Sequence, residues 1–118
     1  MSEMTNKAMR ICENKGFHLD LPNGVTASVQ FGPGNYCDAD VKLAEVGAPK
    51  GKDVWSSNTA ECGAYLSSSF HGHGDGLKWV SVPGFTGDGG DDVAGWLDVQ
   101  GVLDFINQAS QLVDPKAN

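Results

Sequence analysis

GFHLDLPNGVTASVQFG, residues Gly16 to Gly32, decides the fold, because it alternates apolar and polar side chains on either side of a turn. Phe17, Leu19 and Leu21 alternate with His18 and Asp20; Val25, Ala27, Val29 and Phe31 alternate with Thr26, Ser28 and Gln30. Successive side chains of an extended chain point to opposite faces, so period two marks half-buried strands. Loop length then sets the register. A two-residue loop at Asn23-Gly24 would place Leu21 opposite Thr26 and mix the faces, since directly opposed residues share a face. A three-residue loop of Pro22, Asn23 and Gly24 pairs Leu21 with Val25, Leu19 with Ala27 and Phe17 with Val29, and one face becomes wholly apolar. Pro22 has the φ required at the first turn position and Gly24 tolerates a left-handed one, which makes a type I turn closed by a bulge.

Outward from this hairpin, Met9 and Ile11 share a parity within Ala8 to Cys12, and Asn14-Lys15-Gly16 can turn that segment into a third strand of a meander. Residues 32–57 are rich in Gly and Pro, apart from a short apolar patch at Val41 to Val46 that fits either an edge strand or a helical turn. Thr59 to Leu66 alternates again, with Ala60, Cys62, Ala64 and Leu66 on one side and Glu61, Gly63 and Tyr65 on the other. Leu77 to Val82 reads as its partner across the Gly-rich tip SSSFHGHGDG. Pro83 to Asp92 is low in complexity and is expected to be an exposed loop. Asp98 is placed to cap a helix running from Val99 towards Val113, in which Val102, Phe105, Ile106, Ala109, Leu112 and Val113 recur at spacings of three and four. Asp114-Pro115 is expected to end it. The fold class is therefore α+β: one domain over residues 1–118, an antiparallel sheet of four to six strands with one C-terminal amphipathic helix packed on one face.

Composition narrows the functional classes. The chain has 8 Lys and Arg against 15 Asp and Glu, a net charge of -7, which argues against direct contact with nucleic acid or anionic membranes. It suits a basic partner instead. No apolar run approaches the roughly 20 residues of a membrane span, and the first ten residues lack the apolar stretch of a secretory signal. Cys12, Cys37 and Cys62 are odd in number and lack CxxC spacing, as expected of reduced, mostly buried thiols in the cytosol.

The candidate sites are loops. His71, His73 and Asp75 offer metal-compatible donors, but intervening glycines hold them loosely and no fourth ligand is placed, so no metal is expected. Asp88, Asp91 and Asp92 lack the alternating ligands of a calcium-binding EF-hand. They are read as a partner-binding surface, with Asp75 at the neighbouring tip and with Asn35 and Tyr36 as an exposed loop contact. Gly32-Pro33-Gly34-Asn35 and Gly72 to Gly76 do not lead from a strand into a helix, as a phosphate cradle requires. Ser67, Ser68 and Ser69 near His71 lack an oriented base and an oxyanion hole. No catalytic residue and no cofactor are expected. Trp55, Trp79 and Trp96 are read as core or core-rim residues, Trp79 sharing the parity of Leu77.

Asn23-Gly24, Ser28-Val29-Gln30-Phe31 and Gly32-Pro33-Gly34-Asn35-Tyr36-Cys37, with Asn58-Thr59-Ala60-Glu61 as a second block, give Gly16 to Asp38 a resemblance to small accessory proteins encoded by bacteriophages and prophages. It covers about a fifth of the chain, and Val25 stands where a bulkier aromatic is expected. The resemblance brings no catalytic or binding residues. It implies a context, the host bacterial cytosol, and a role: a stoichiometric inhibitor of host immunity, in the manner of anti-CRISPR proteins, bound to a basic host protein such as a nucleic-acid-binding defence complex. The alternative is a small-molecule module holding a nucleotide-like ligand between the Gly-rich loops. An enzyme using His71, His73 or Cys62 is the least favoured class.

Overall fold

The computed structural model describes residues 8–11, 16–32, 37, 57–72, 76–87 and 92–118. Five strands form one antiparallel sheet in sequential order: β1 (Met9–Ile11), β2 (Gly16–Asp20), β3 (Val25–Gln30), β4 (Ala60–Leu66) and β5 (Val93–Leu97). One helix, α1 (Val99–Ser110), packs across β3, β4 and β5. The architecture is the expected α+β sheet with its C-terminal helix.

The hairpin register is the one that the alternation requires. Phe17 pairs with Val29, Leu19 with Ala27 and Asp20 with Thr26, while Leu21 N–H donates to Val25 O at 2.8 Å across the three-residue loop. Gly24 has φ 86°, the left-handed conformation that a bulged turn needs. Every residue of β3 is buried, as befits the central strand. Val25, Ala27 and Val29 line one face and join Ala60, Cys62 and Ala64 of β4, Val80, Val82, and Phe105 and Ala109 of α1 in a single apolar cluster. Phe105 and Ala109 lie four apart, one helical turn, and both are fully buried.

Asp98 caps α1, its Oδ1 accepting from Gly101 N–H at 2.8 Å. The far end is held by the hairpin: Asn23 Nδ2 donates to the carbonyls of Ala109 at 2.9 Å and Leu112 at 3.1 Å. Helix C-termini leave carbonyls without intrahelical partners, and this side chain reaches one in the last turn, Ala109 O, and a second just beyond the helix, Leu112 O. The helix stops at Ser110, earlier than Asp114-Pro115 would impose. The Ser110 hydroxyl turns back onto Asn107 O at 2.6 Å, and Val113, expected in the apolar stripe, is 86% exposed.

Two further expectations are corrected. Leu77 to Val82 contributes isolated bridges, Tyr65 with Trp79 and Val80 with Ala117, and its buried parity is Val80 and Val82. Trp79 lies on the opposite face, edge-on to Tyr65 at 5.7 Å between ring centroids. Residues 93–97, to which the alternation assigned no element, form β5. Its register breaks, Ala60 pairing with Leu97 but Cys62 with Ala94, so Gly95 and Trp96 together oppose Glu61. That bulge puts Trp96 at φ 54° and turns it outward, 57% exposed, where a core or core-rim position is expected.

Candidate functional site

Alternation gives the sheet two chemically different faces. The face away from α1 carries Arg10, His18, Asp20, Thr26, Ser28, Gln30 and Tyr65, all but the last on β1 to β3. Arg10 Nη1 pairs with Asp20 Oδ2 at 2.9 Å and Nη2 donates to the Tyr65 hydroxyl at 3.2 Å. Thr26 Oγ1 donates to Asp20 Oδ1 at 2.7 Å and meets Ser67 Oγ at the same distance. His18 Nδ1 lies 2.8 Å from the Tyr65 hydroxyl, and Nε2 faces the amide nitrogen of Gln30 at 3.3 Å and Ser28 Oγ at 3.4 Å. Phe70 closes over the group, with the Arg10 guanidinium 4.7 Å from its ring centroid.

This network is coupled inward. Burial lowers the His18 pKa, and the Arg10 charge lowers it further, so the imidazole is neutral near pH 7. For Asp20, burial opposes ionisation, but the hydrogen bonds from Arg10 and Thr26 and the guanidinium charge outweigh it and hold the carboxyl below its usual range. Burial raises the Tyr65 pKa. Each charge thus has its partner inside the group, which makes this face a keystone of the sheet.

Among the described residues the α1 face is open instead. Since α1 lies over β3 to β5, Met9 and Ile11 of β1 remain 76% and 79% exposed on the same face as Leu19 and Phe17. Beside them an open cleft of about 200 Å³ runs between sheet and helix, its floor formed by Phe17, Val29 and Phe31 and its wall by Val99, Val102 and Leu103. None of its lining residues is charged. Val99 is 72% exposed and Leu103 55%. Asp98 and Asp104 stand exposed on this helix. From Trp79 to Pro115, the stretch that builds β5 and α1, the chain holds six Asp and no Lys or Arg.

Of the residues expected to bind a partner, Asn35, Tyr36, Asp75, Asp88 and Asp91 lie outside the described residues, as do Cys12, Trp55, His73 and the apolar patch at Val41 to Val46. Asp92 is half-buried at the start of β5 and accepts from Asn118 Nδ2 at 3.3 Å. His71 is exposed, and no metal-compatible cluster occurs among the described residues. Cys62 is fully buried, and burial pushes its thiol pKa up to about 12; such a thiol is a poor nucleophile. No described helix is long and apolar enough to cross a membrane. The open face was missed because no single element announces it: Met9 and Ile11 share a parity as in any half-buried strand, Val99 and Leu103 lie outside the apolar stripe expected of the helix, and only the placement of α1 decides which are covered among the described residues.

No family model, curated protein or solved structure matches the chain.

Proposed function

We propose that the protein acts by binding, as a non-enzymatic acidic partner of a basic protein surface. The observation that carries this reading is the cation-free stretch from Trp79 to Pro115, whose β5 and α1 flank an open apolar cleft. An interface needs an apolar anchor site and a charge pattern that selects its partner; here both belong to one helix. The resemblance to phage accessory proteins gives the reading its direction: a stoichiometric inhibitor in the host cytosol whose target is a nucleic-acid-binding defence complex, masked by charge and shape rather than chemistry. The alternative is a nucleotide-like ligand held between the Gly-rich loops, of which residues 33–36 and 73–75 lie outside the described residues.

The test is affinity capture from a bacterial lysate with mass spectrometry of proteins and small molecules, followed by titration with the repurified partner. A basic protein bound at one-to-one stoichiometry, with affinity falling as salt rises, is the expected result. A nucleotide released from the captured protein, with no stoichiometric protein, would overturn it.

A further inference from the structure

We propose that β1 is a detachable edge strand fastened through the Arg10 side chain, and that protonation of His18 releases it while the rest of the sheet stays folded. Such a release stands apart from the binding function proposed above.

The strand is lightly held. β1 is three residues long at one edge of the sheet, and Met9 and Ile11 are 76% and 79% exposed, so they bury little apolar area. Its backbone ladder runs to β2: Met9 pairs with Leu19, Arg10 with His18 and Ile11 with Phe17, and Asp20 N–H donates to Ala8 O at 2.7 Å. Arg10 differs from both of its neighbours. Its side chain is 15% exposed, pairs with Asp20, donates to the Tyr65 hydroxyl on β4 and lies over the Phe70 ring. Through this one side chain β1 reaches across β2 and β3 to β4. A segment with few buried contacts opens at lower cost than the core to which it is attached.

His18 sits where it can undo that hold. It pairs with Arg10 in the ladder, and its Nδ1 meets the same Tyr65 hydroxyl that accepts from Arg10 Nη2. Around the ring, β1 contributes the Arg10 guanidinium, β2 the Asp20 carboxylate and β4 Tyr65, with Glu61 further along the same strand opposite Gln30. β3 contributes Ser28 and Gln30, both uncharged, and Phe70 meets the ring edge-on. Asp20 favours a protonated ring but is outweighed by burial and by the Arg10 charge, and both of its oxygens are engaged, one by Arg10 and the other by Thr26. A protonated ring therefore sets a second cation one hydroxyl away from the guanidinium while Asp20 stays engaged. Departure of Arg10 relieves this and frees Asp20, two residues along the same face of β2, to face the new charge. His18 is less free to leave, since β2 is paired on both sides. β1 then keeps its backbone ladder alone, and its detachment makes β2 the edge of the sheet. Because the His18 pKa is held below its ordinary 6.5 in the folded chain, attachment is complete above that pH and is lost as pH falls towards the folded value.

Hydrogen exchange read by mass spectrometry on the full chain from pH 7.5 to 5.5, corrected for the intrinsic pH dependence of amide exchange, tests this. Peptides covering β1 should lose about tenfold in protection between pH 6.5 and 5.5, the slope that uptake of one proton gives, while those covering β3 and β4 keep theirs. His18→Gln should flatten the β1 response. Arg10→Met should leave β1 weakly protected at every pH, with β3 and β4 unchanged. Loss of protection in β1 and β4 together would mean that the sheet opens as one unit and would overturn the proposal. So would unchanged protection of β1 down to pH 5.5, an undiminished response in His18→Gln, or a β1 in Arg10→Met as well protected as in the wild type. The wild-type comparison of β1 with β4 decides between local and global opening even if a variant does not fold.

Discussion

The His18 imidazole and the Tyr65 hydroxyl, 47 residues apart in the chain, meet at 2.8 Å on the face of the sheet away from α1. The Gln30 amide nitrogen, 3.3 Å from Nε2, can only donate, so the neutral ring accepts there and carries its proton on Nδ1. Protonating the ring would set a second N–H against that donor, near the Arg10 charge.

Stability should therefore fall on acidification. The His18 pKa is lower in the folded chain than its ordinary 6.5, so below about pH 6.5 the unfolded chain binds more protons than the folded one. This stabilisation is complete above that pH and is lost as pH falls towards the folded value. Asp20, also depressed, adds a second loss below its ordinary 3.8. Urea midpoints measured from pH 7.5 to 4.5 should decline in the wild type and flatten over the upper part of the range in His18→Gln. Parallel curves would mean that His18 titrates alike in both states.

Tyr65→Phe tests the same junction from the other side. Tyr65 is fully buried, and removing its hydroxyl takes a partner from both Arg10 and His18. A loss of about 1–3 kcal/mol is expected, the cost of leaving buried polar groups unsatisfied. Urea denaturation decides it, and an unchanged midpoint would show that the two groups find other partners.

Asn23 joins the hairpin to the end of α1 through Ala109 O and Leu112 O. Asn23→Ala should cost about 1 kcal/mol for the lost hydrogen bonds. Asn23→Asp should cost more, because it sets an acceptor and a negative charge against helix carbonyls. The ranking is the check: thermal melts placing Asp above Ala would remove the clamp.

Two glycines separate backbone strain from crowding. At Gly24 an added Cβ would meet nothing within 4 Å, but φ is 86°, so Gly24→Val should destabilise by about 1 kcal/mol or more through strain alone, and Gly24→Asn by less. At Gly63 the backbone is ordinary, but a Cβ would lie 2.7 Å from Trp79 Cζ3 and 3.1 Å from Val93 Cγ1. Gly63→Ala should cost about 1–3 kcal/mol by overpacking and shift Trp fluorescence, which Gly24→Val should leave alone. Urea melts with fluorescence detection separate the two mechanisms.

How much of this was legible in the sequence depends on range. The β2–β3 hairpin, the two faces of β4 and the cap at Asp98 follow from period, turn chemistry and spacing, all encoded within a few residues. Placing Arg10, His18, Asp20, Thr26, Ser28, Gln30 and Tyr65 on one face also follows from period two, but their convergence into one network needs strand order, which local pattern does not contain. Strand β5 was illegible for a different reason: its bulge at Gly95 and Trp96 breaks the alternation that would have revealed it. The early end of α1 at Ser110 coincides with a side-chain bond from Ser110 to Asn107 O, which spacing does not announce. The open face could not be read at all, since an apolar residue carries the same signal whether a helix covers it or a partner does.

The last prediction concerns charge. If the cation-free stretch guides a basic partner, removing its carboxylates should slow association and leave dissociation nearly unchanged, because exposed charges act mainly on encounter. Two sets divide the carboxylates: Asp88→Asn, Asp91→Asn and Asp92→Asn, which precede β5 in the sequence, and Asp98→Asn with Asp104→Asn at α1. Asn caps helices about as well as Asp, so the second set keeps the cap and loses only charge. Asp92 already accepts a hydrogen bond from Asn118, so its share of the first set's effect should be the smallest of the three. Stopped-flow association with the captured partner at two salt concentrations should show slower rates for both sets at low salt, with the differences shrinking as salt screens the charges over about 8 Å or less. Identical rates across wild type and both sets, with no salt dependence, would sink the electrostatic mechanism. A deficit confined to the α1 set would place the contact on the exposed surface of α1 rather than before β5.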